Sequence, residues 1–392
     1  MPPQTTSYPM RKLIIRASLL SAVLLTSSAP KPAAAQSMNS WMGTSSGTWS
    51  TAGNWSLGVA PSTSPISIAD YPGTASLQHT IDLAGATGRV SYGNIFDFVA
   101  GGVGYTFTGT AGSVSGFFIR AGGPVNGIVN NDDNAQTFNV PIKLTSNSGI
   151  AGAGAGMTFN AAAGDLIFNG NNNAPATPWT INLNGASNLT FTGSANITIG
   201  SSGPGQIVNT NVGTFSGIVK NGTGTLTLGG TVANTYNGTT ILNQGIILAQ
   251  KANAFGTGGL QLNGGTLKTG GFGQSLGTLD LEGSATLDFG AGVSALSLAN
   301  SSAVAWGSGL TLSLVNWTAG TDTLRVGTDA TGLTASQLSE IIFSDLPGSP
   351  GAQIDANGFI TPMSVPEPSA FGLAFLGGLA LTARVLSRRR LD

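Results

Sequence analysis

Four charged side chains stand in a pattern that could do chemistry: Lys268, Asp280, Glu282 and Asp288. Asp280 and Glu282 are two residues apart in Leu-Asp-Leu-Glu-Gly, so on an extended strand they share a face, and Asp288 falls on the strand expected next. Paired carboxylates beside a cation suit glycoside hydrolysis or a calcium-assisted lyase. An ordinary solvated face explains the same residues, because Leu279, Leu281, Leu287 and Phe289 take the inward positions and leave the acids in water. On that reading, which is the expectation here, no residue is catalytic.

The remaining chemistry is narrow. The chain has no cysteine, which removes thiolate nucleophiles, disulfides, Cys-ligated zinc and iron–sulfur clusters. His79 is the only histidine, so a multi-histidine metal site is excluded and a hydroxyl–His–carboxylate triad would have to use that ring. It sits in Leu-Gln-His-Thr-Ile, which alternates like a strand and predicts a histidine at the surface or near a turn. Asp132 and Asp133, in Asn-Asn-Asp-Asp-Asn, could ligate calcium, but a surface turn of the Asx type is the expected reading. The Gly-rich stretch 149–156 lacks a following Lys-Ser or Lys-Thr and a helix, so it does not read as a phosphate loop. No cofactor or metal is expected.

The elements that must position these residues follow from composition. Only 8% of the 392 residues are charged, against 59 glycines and 41% hydrophobic residues. Such a chain is biased to strands and turns, and its mean hydropathy of +0.20 argues against disorder. The net charge of -1 offers no basic face to phosphates, so nucleic acid is not an expected partner. Apolar and polar residues alternate in short runs, as in Leu226-Thr227-Leu228 and Leu296-Ser297-Leu298, and such runs predict strands with one buried face. Before Thr334 no stretch has helical periodicity. The Leu-x-Leu runs recur at intervals of roughly 14–20 residues, which fits the coils of a parallel β-helix with corners of Gly and Asn. A β-sandwich or jelly-roll is the alternative. Residues 310–317 read as a last strand, and Thr334 to Leu338 as a helix start capped by Ser or Thr before Leu338, Ile341 and Ile342. Residues 346–365, rich in Pro, Gly and Ser, read as a spacer.

Both ends read as addresses. Met10-Arg11-Lys12, an apolar run over 13–25 and Ala33-Ala34-Ala35 make a secretory signal peptide with cleavage expected between Ala35 and Gln36. At the other end Pro366-Glu367-Pro368 precedes an apolar stretch over 370–383, then Arg384, Val385 and Leu386; from 370 to 386 is about 17 residues or roughly 25 Å of helix, the short limit for a membrane span. Arg388, Arg389 and Arg390 follow and hold that end on the cytoplasmic side. Together these three parts resemble the PEP-CTERM sorting signal of exported proteins in Gram-negative bacteria that make extracellular polysaccharide. The resemblance implies recognition by an exosortase, which cuts near the Pro-Glu-Pro and releases or re-anchors the protein outside the cell.

A second resemblance lies in the body. In the run 218–248, Lys220, Gly222, Gly224, Leu226, Leu228, Gly230, Asn234, Tyr236, Gly238, Thr240 and Gly245 occupy the places of the autotransporter-associated β-strand repeat. It implies a right-handed parallel β-helix of the kind found in bacterial surface passengers, here with the sorting tail where that family carries a membrane barrel. Trp41, Trp49 and Trp55, with Gly43, Gly47, Asn54 and Gly58, resemble the opening of such exported repeat proteins. Tryptophans can stack on sugars, but the expected role is to cover the open first coil.

The expected organisation is a signal peptide (1–35), an N-terminal β region with a Trp-rich cap (36–145), a β-helix (146–318), a C-terminal strand, helix and spacer (319–365) and the sorting signal (366–392). The expected function is a non-enzymatic structural or adhesive protein of the cell surface or extracellular matrix. Its partners would be signal peptidase and the general export machinery, the exosortase, a transient inner-membrane stage and extracellular polysaccharide. The alternative is a polysaccharide-active hydrolase or lyase on a β-helix. Met10 gives an n-region of more usual form than Met1, because the stretch before it carries no charge and is rich in proline. Translation started at Met10 is therefore expected to leave the secreted fraction unchanged, and a large loss of secretion would refute this.

Overall fold

The computed structural model describes residues 47–48, 51–58, 69–70, 79–82, 90–93, 95–109, 117–120, 127–145, 156–170, 179–184, 188–211 and 214–364. The chain separates into two units at Ala35, and every described residue belongs to the second. The signal peptide with Ala35 and Gln36, and the sorting tail with Pro366, Glu367, Pro368 and Arg388 to Arg390, lie outside the described residues. Among the described residues no helix is long and apolar enough to cross a membrane.

Among the described residues the protein is nearly all-β, with long parallel sheets and almost no helix. Among the described residues the strands form four sheets, of twelve, nine, five and five strands. The twelve-stranded sheet runs from Gly47–Thr48 to Ile341–Phe343, and the nine-stranded sheet from Ala69–Asp70 to Leu279–Leu281. The first five-stranded sheet lies between Val90–Gly93 and Ile207–Val208 in sequence. From Val90–Gly93 to Thr225–Leu228 the chain visits the first five-stranded, the nine-stranded and the twelve-stranded sheets in fixed rotation. It then alternates between the two large sheets as far as Thr266–Lys268. The second five-stranded sheet enters at Gly273–Leu276.

The alternation in the sequence explains why these strands stack. In Thr225–Leu228 the threonines are half-buried and the leucines fully buried, and Leu226 lies beside Ile197 on one side and Ile247 on the other. Phe107, Phe138 and Phe168 are register neighbours whose rings stack at 4.8 and 5.0 Å. Each such side chain, removed from water on both sides, contributes about 1.5–3 kcal/mol.

The Leu-x-Leu runs mix two spacings: Leu260–Leu262 and Leu279–Leu281 are register neighbours in the nine-stranded sheet, whereas Leu279–Leu281 and Ala295–Leu298 fall on different sheets. In the twelve-stranded sheet Leu226, Ile247, Leu267 and Leu287 follow one another at a nearly even interval, and the step from Ile197 to Leu226 is longer. Two expectations need correction. The helix ends at Ser339: Thr334 caps it through a capping box with Gln337, but Ile341–Phe343 joins the twelve-stranded sheet instead of extending the helix. The strand within 310–317, Leu312–Val315, is not the last. Thr323–Val326 follows, and an antiparallel hairpin of Ala352–Ile354 and Phe359–Pro362 occupies the expected spacer. Its turn is held by Asp355, whose Oδ1 accepts from the N–H groups of Asn357 and Phe359.

The stacking makes a sharp mutational contrast. Leu226→Asp places an uncompensated charge among fully buried side chains and is expected to cost at least about 3 kcal/mol, enough to abolish a cooperative circular-dichroism melt. Thr227→Asp, on the outward position of the same strand, is expected to cost less than about 0.5 kcal/mol. Equal tolerance of the two would mean that the register is wrong.

Candidate functional site

The structure separates the four nominated side chains: Lys268 and Asp288 lie in the twelve-stranded sheet, Asp280 in the nine-stranded sheet, and Glu282 just past the end of the Asp280 strand. Thr266–Lys268 and Ala285–Asp288 are neighbours in the twelve-stranded sheet, and their register sets Lys268 beside Asp288. Lys268 Nζ lies 2.9 Å from Asp288 Oδ2. Asp288 Oδ1 accepts from the Gly290 N–H at 2.9 Å and from Asn316 Nδ2 at 2.6 Å. Asp288 is buried, not solvated as expected for an outward acid. Burial alone would raise its carboxyl, but the hydrogen bonds from Asn316, Lys268 and Gly290 outweigh it and hold the carboxyl below the usual range.

Asp280 lies in Leu279–Leu281, the edge strand of the nine-stranded sheet, and its register neighbour is Gln261. Its Oδ1 is buried without a hydrogen-bond partner. Burial, and then the charge of Glu282, push its carboxyl up. Past this edge the chain closes with a loop in place of a strand: Trp306 Nε1 donates to the Leu279 carbonyl at 3.1 Å and the Gly307 N–H to that of Leu281 at 2.9 Å. Asp280 with Glu282, and Lys268 with Asp288, are thus two separate pairs. Leu279, Leu281, Leu287 and Phe289 are buried, as the alternation predicts.

Other nominated residues find structural surroundings. His79 begins the strand His79–Asp82 and pairs in register with Tyr105. Asp132 makes the expected Asx turn, Oδ1 accepting from the Asn134 N–H at 2.8 Å, but it is buried rather than at the surface, while Asp133 is exposed. Trp55 is buried in the core. Trp41, Trp49 and residues 149–155 lie outside the described residues. A surface depression of about 390 Å³ is lined by Trp317, Phe359, Asp322 and Asp355, among others. Both acids there already accept backbone N–H groups: Asp322 from Ser294 and Thr318, Asp355 from Asn357 and Phe359. Among the described residues no three acidic or histidine side chains are grouped to hold a metal ion.

Sequence reasoning missed a buried polar seam on the side of the two large sheets where no third strand forms. Lys251 Nζ donates to the carbonyls of Gly205 and Val232 and to Asn234 Oδ1, at 2.7, 2.8 and 2.9 Å. Asn234 Oδ1 also accepts from the Ile207 N–H, and Gln274 Oε1 from that of Ala254, so side-chain amides stand in for the missing ladder. Burial pushes the Lys251 amine down to about 7, while its three acceptors favour the charged form. The run from Gly205 to Gln274 carries no periodic mark of this role. Asn234 alone stands out in the sequence, through the repeat pattern.

The two acid pairs predict opposite responses to neutralisation. Because the folded carboxyl of Asp288 lies below its unfolded value, its contribution is present above about pH 4 and is lost as pH falls through the folded value. Asp288→Asn is therefore expected to lower the melting temperature at pH 7, by the equivalent of about 1–3 kcal/mol, and much less at pH 3. Asp280 has a raised folded value, so it disfavours the fold at neutral pH, and Asp280→Asn is expected to raise the melting temperature at pH 7. Melts of the same sign for both variants would show that the pairs are not separate.

No family model, no curated protein and no solved structure matches this chain.

Proposed function

We propose that this chain is an exported, non-enzymatic scaffold of the cell surface or extracellular matrix, wound as a right-handed parallel β-helix. The observation that carries the reading is the fixed rotation of the chain among long parallel sheets whose inward positions are apolar strand after strand. Parallel neighbours joined by short excursions through other sheets suit a solenoid, and the handedness follows the right-handed preference of parallel crossovers. The β-strand-repeat resemblance adds support, since several of its glycines stand where a neighbouring pass leaves no room for a side chain. A β-carbon on Gly222 would lie 2.1 Å from the Gly193 carbonyl oxygen, and Tyr236 is fully buried with its hydroxyl 2.7 Å from Thr240 Oγ1.

Export and sorting rest on the two terminal signals. The signal peptide is cut between Ala35 and Gln36, and an exosortase reads Pro366-Glu367-Pro368 while 370–386 and Arg388 to Arg390 hold the tail in the inner membrane. The protein ends at the cell surface or in a polysaccharide matrix. A second reading, a hydrolase or lyase acting on polysaccharide, is favoured by one observation: Asp280, with its raised carboxyl and unpartnered oxygen, stands beside Glu282. Release of reducing ends from extracellular polysaccharide by the wild type but not by Asp280→Asn would establish that reading in place of the scaffold.

The sorting tail supplies the direct test. An enzyme that reads Pro366-Glu367-Pro368 needs an extended segment, which two prolines favour by fixing φ and restricting the residue before them. Replacing the three with alanine is expected to leave the span intact and block processing, so uncut precursor accumulates in the inner membrane. Neutral replacements of Arg388 to Arg390 are expected to weaken retention before cleavage. A triple-alanine protein that still reaches the exterior with a trimmed C-terminus, read by fractionation and terminal mass analysis, refutes sorting by this motif.

A further inference from the structure

The outward face of the second five-stranded sheet carries a row of polar side chains that the fold itself does not use. Ser275, Ser297 and Arg325 are register neighbours on Gly273–Leu276, Ala295–Leu298 and Thr323–Val326, each at an outward position between two buried residues. Phe359 follows Arg325 in the same row, across the antiparallel step. With adjacent strands about 4.8 Å apart, the row from Ser275 to Arg325 is roughly 10 Å long. It opens into a depression of about 320 Å³, at the small end of ligand pockets, which Asn300 and Thr328 border from just past the strand ends.

Arg325 is held in a way that leaves part of its guanidinium available. Nε donates to the Asn357 carbonyl at 2.9 Å, and the guanidinium carbon lies 5.6 Å from the centre of the Phe359 ring. The hairpin thus fixes one edge and one face of a planar fork, and no described carboxylate lies within 4.0 Å of the terminal nitrogens. The acids on either side keep to their own turns: Asp355 Oδ1 accepts from the Asn357 and Phe359 N–H groups, and Asp329 Oδ1 from the N–H and hydroxyl of Thr331. Among the described residues the hydroxyls of Ser275, Ser297 and Thr328 and the Asn300 amide nitrogen have no hydrogen-bond partner, and no acidic side chain lines the depression. One cation, three hydroxyls and an amide therefore border a single open space.

We propose that this row binds a saccharide that carries a carboxylate. The terminal nitrogens of Arg325 take the carboxylate as a fork, and Ser297, Ser275 and Asn300 hydrogen-bond ring hydroxyls. An inorganic anion would engage Arg325 alone, and a neutral sugar would leave the guanidinium unused. Much of the ligand stays in water, so a short segment binds weakly, and retention on a polymer comes from many repeats of the same unit. That the polymer is extracellular rests on the exported-scaffold reading above; the binding chemistry does not.

The test is calorimetric titration of the full-length chain with a galacturonate oligosaccharide, with the same oligosaccharide methyl-esterified, and with a glutamate oligopeptide. Galacturonate is expected to bind with a Kd of about 0.1–1 mM, and the ester and the peptide at least about tenfold more weakly. Arg325→Gln is expected to lose at least about tenfold in affinity. Ser297→Asp, which sets a negative charge beside Arg325 at an outward position, is expected to lose as much while keeping a cooperative melt. Lys143→Gln, which removes a cation of the first five-stranded sheet, is expected to bind as the wild type does. Should Arg325→Gln loosen the hairpin it touches, Ser297→Asp decides. A wild type that binds no galacturonate, or that binds the ester or the peptide as tightly, overturns the proposal. So does a Ser297→Asp protein that binds as the wild type does, or an equal loss in Lys143→Gln. Titration of the purified chain does not depend on export, so failure here leaves the sorting test untouched, and failure of sorting leaves this site standing.

Discussion

In the twelve-stranded sheet Leu166, Ile197, Leu226, Ile247, Leu267 and Leu287 form one column, each hydrogen-bonded strand placing its inward side chain directly on the one before. All six are at most 2% exposed. The side-chain period of a strand is two, so a slip of one residue anywhere would turn the apolar set of that strand to water and bring its threonines inward. Parallel register therefore governs the rest of the chain. The excursions between register neighbours differ in length, short from Ile247 to Leu267 and long from Leu166 to Ile197, while the columns stay in line.

Holding the columns in line crowds the corners. A β-carbon on Gly224 would lie 2.0 Å from the Ala195 carbonyl oxygen, so the residue type there is dictated by the backbone of the neighbouring pass. Where the third strand is missing, the backbone groups it would have paired still need partners, because an unpaired buried N–H costs about 1–3 kcal/mol. Asn234, Lys251 and Gln274 meet that need. They are long or amide-bearing side chains that reach from one pass to the next, and the seam they build connects the two regions where five-stranded sheets supply an ordinary ladder.

The strands and their inward residues are legible in the sequence because alternation is a local property that burial converts directly into facing. The start of the helix Ala335–Ser339 is legible for the same reason: a capping box involves only Thr334 and Gln337. What is not legible depends on neighbours distant in sequence. The interval between Leu-x-Leu runs does not say which sheet each run joins, because some successive runs share a sheet and others do not. Asp288 reads as solvated because its burial comes from Asn316 and Lys268, which flank it from the neighbouring passes of the same sheet and lie far from it along the chain. The hairpin ending at Phe359–Pro362 is hidden by Pro and Gly around it, although Asp355, Asn357 and Gly358 spell a tight turn.

Scarcity of charge gives the few charged groups weight. Most of the described ones that are buried are tied into the frame: Asp288 to Lys268 and Asn316, Asp322 to two backbone N–H groups, and Lys251 to three acceptors. A fold whose stability is spread along columns of nearest neighbours has no need of a central cleft, and its surface can be long and chemically quiet. Against that background an unsatisfied buried oxygen carries information, because nothing in the stacking requires it. Asp132 Oδ2 and Asp280 Oδ1 are two such atoms, and they differ in kind. Asp280 has a like charge beside it and answers by favouring its protonated form. Asp132 is instead held from one side only, its Oδ1 taking both donors of Asn134 in a turn closed by the chain's own corner, so its unpaired oxygen follows from the geometry of the Asx turn.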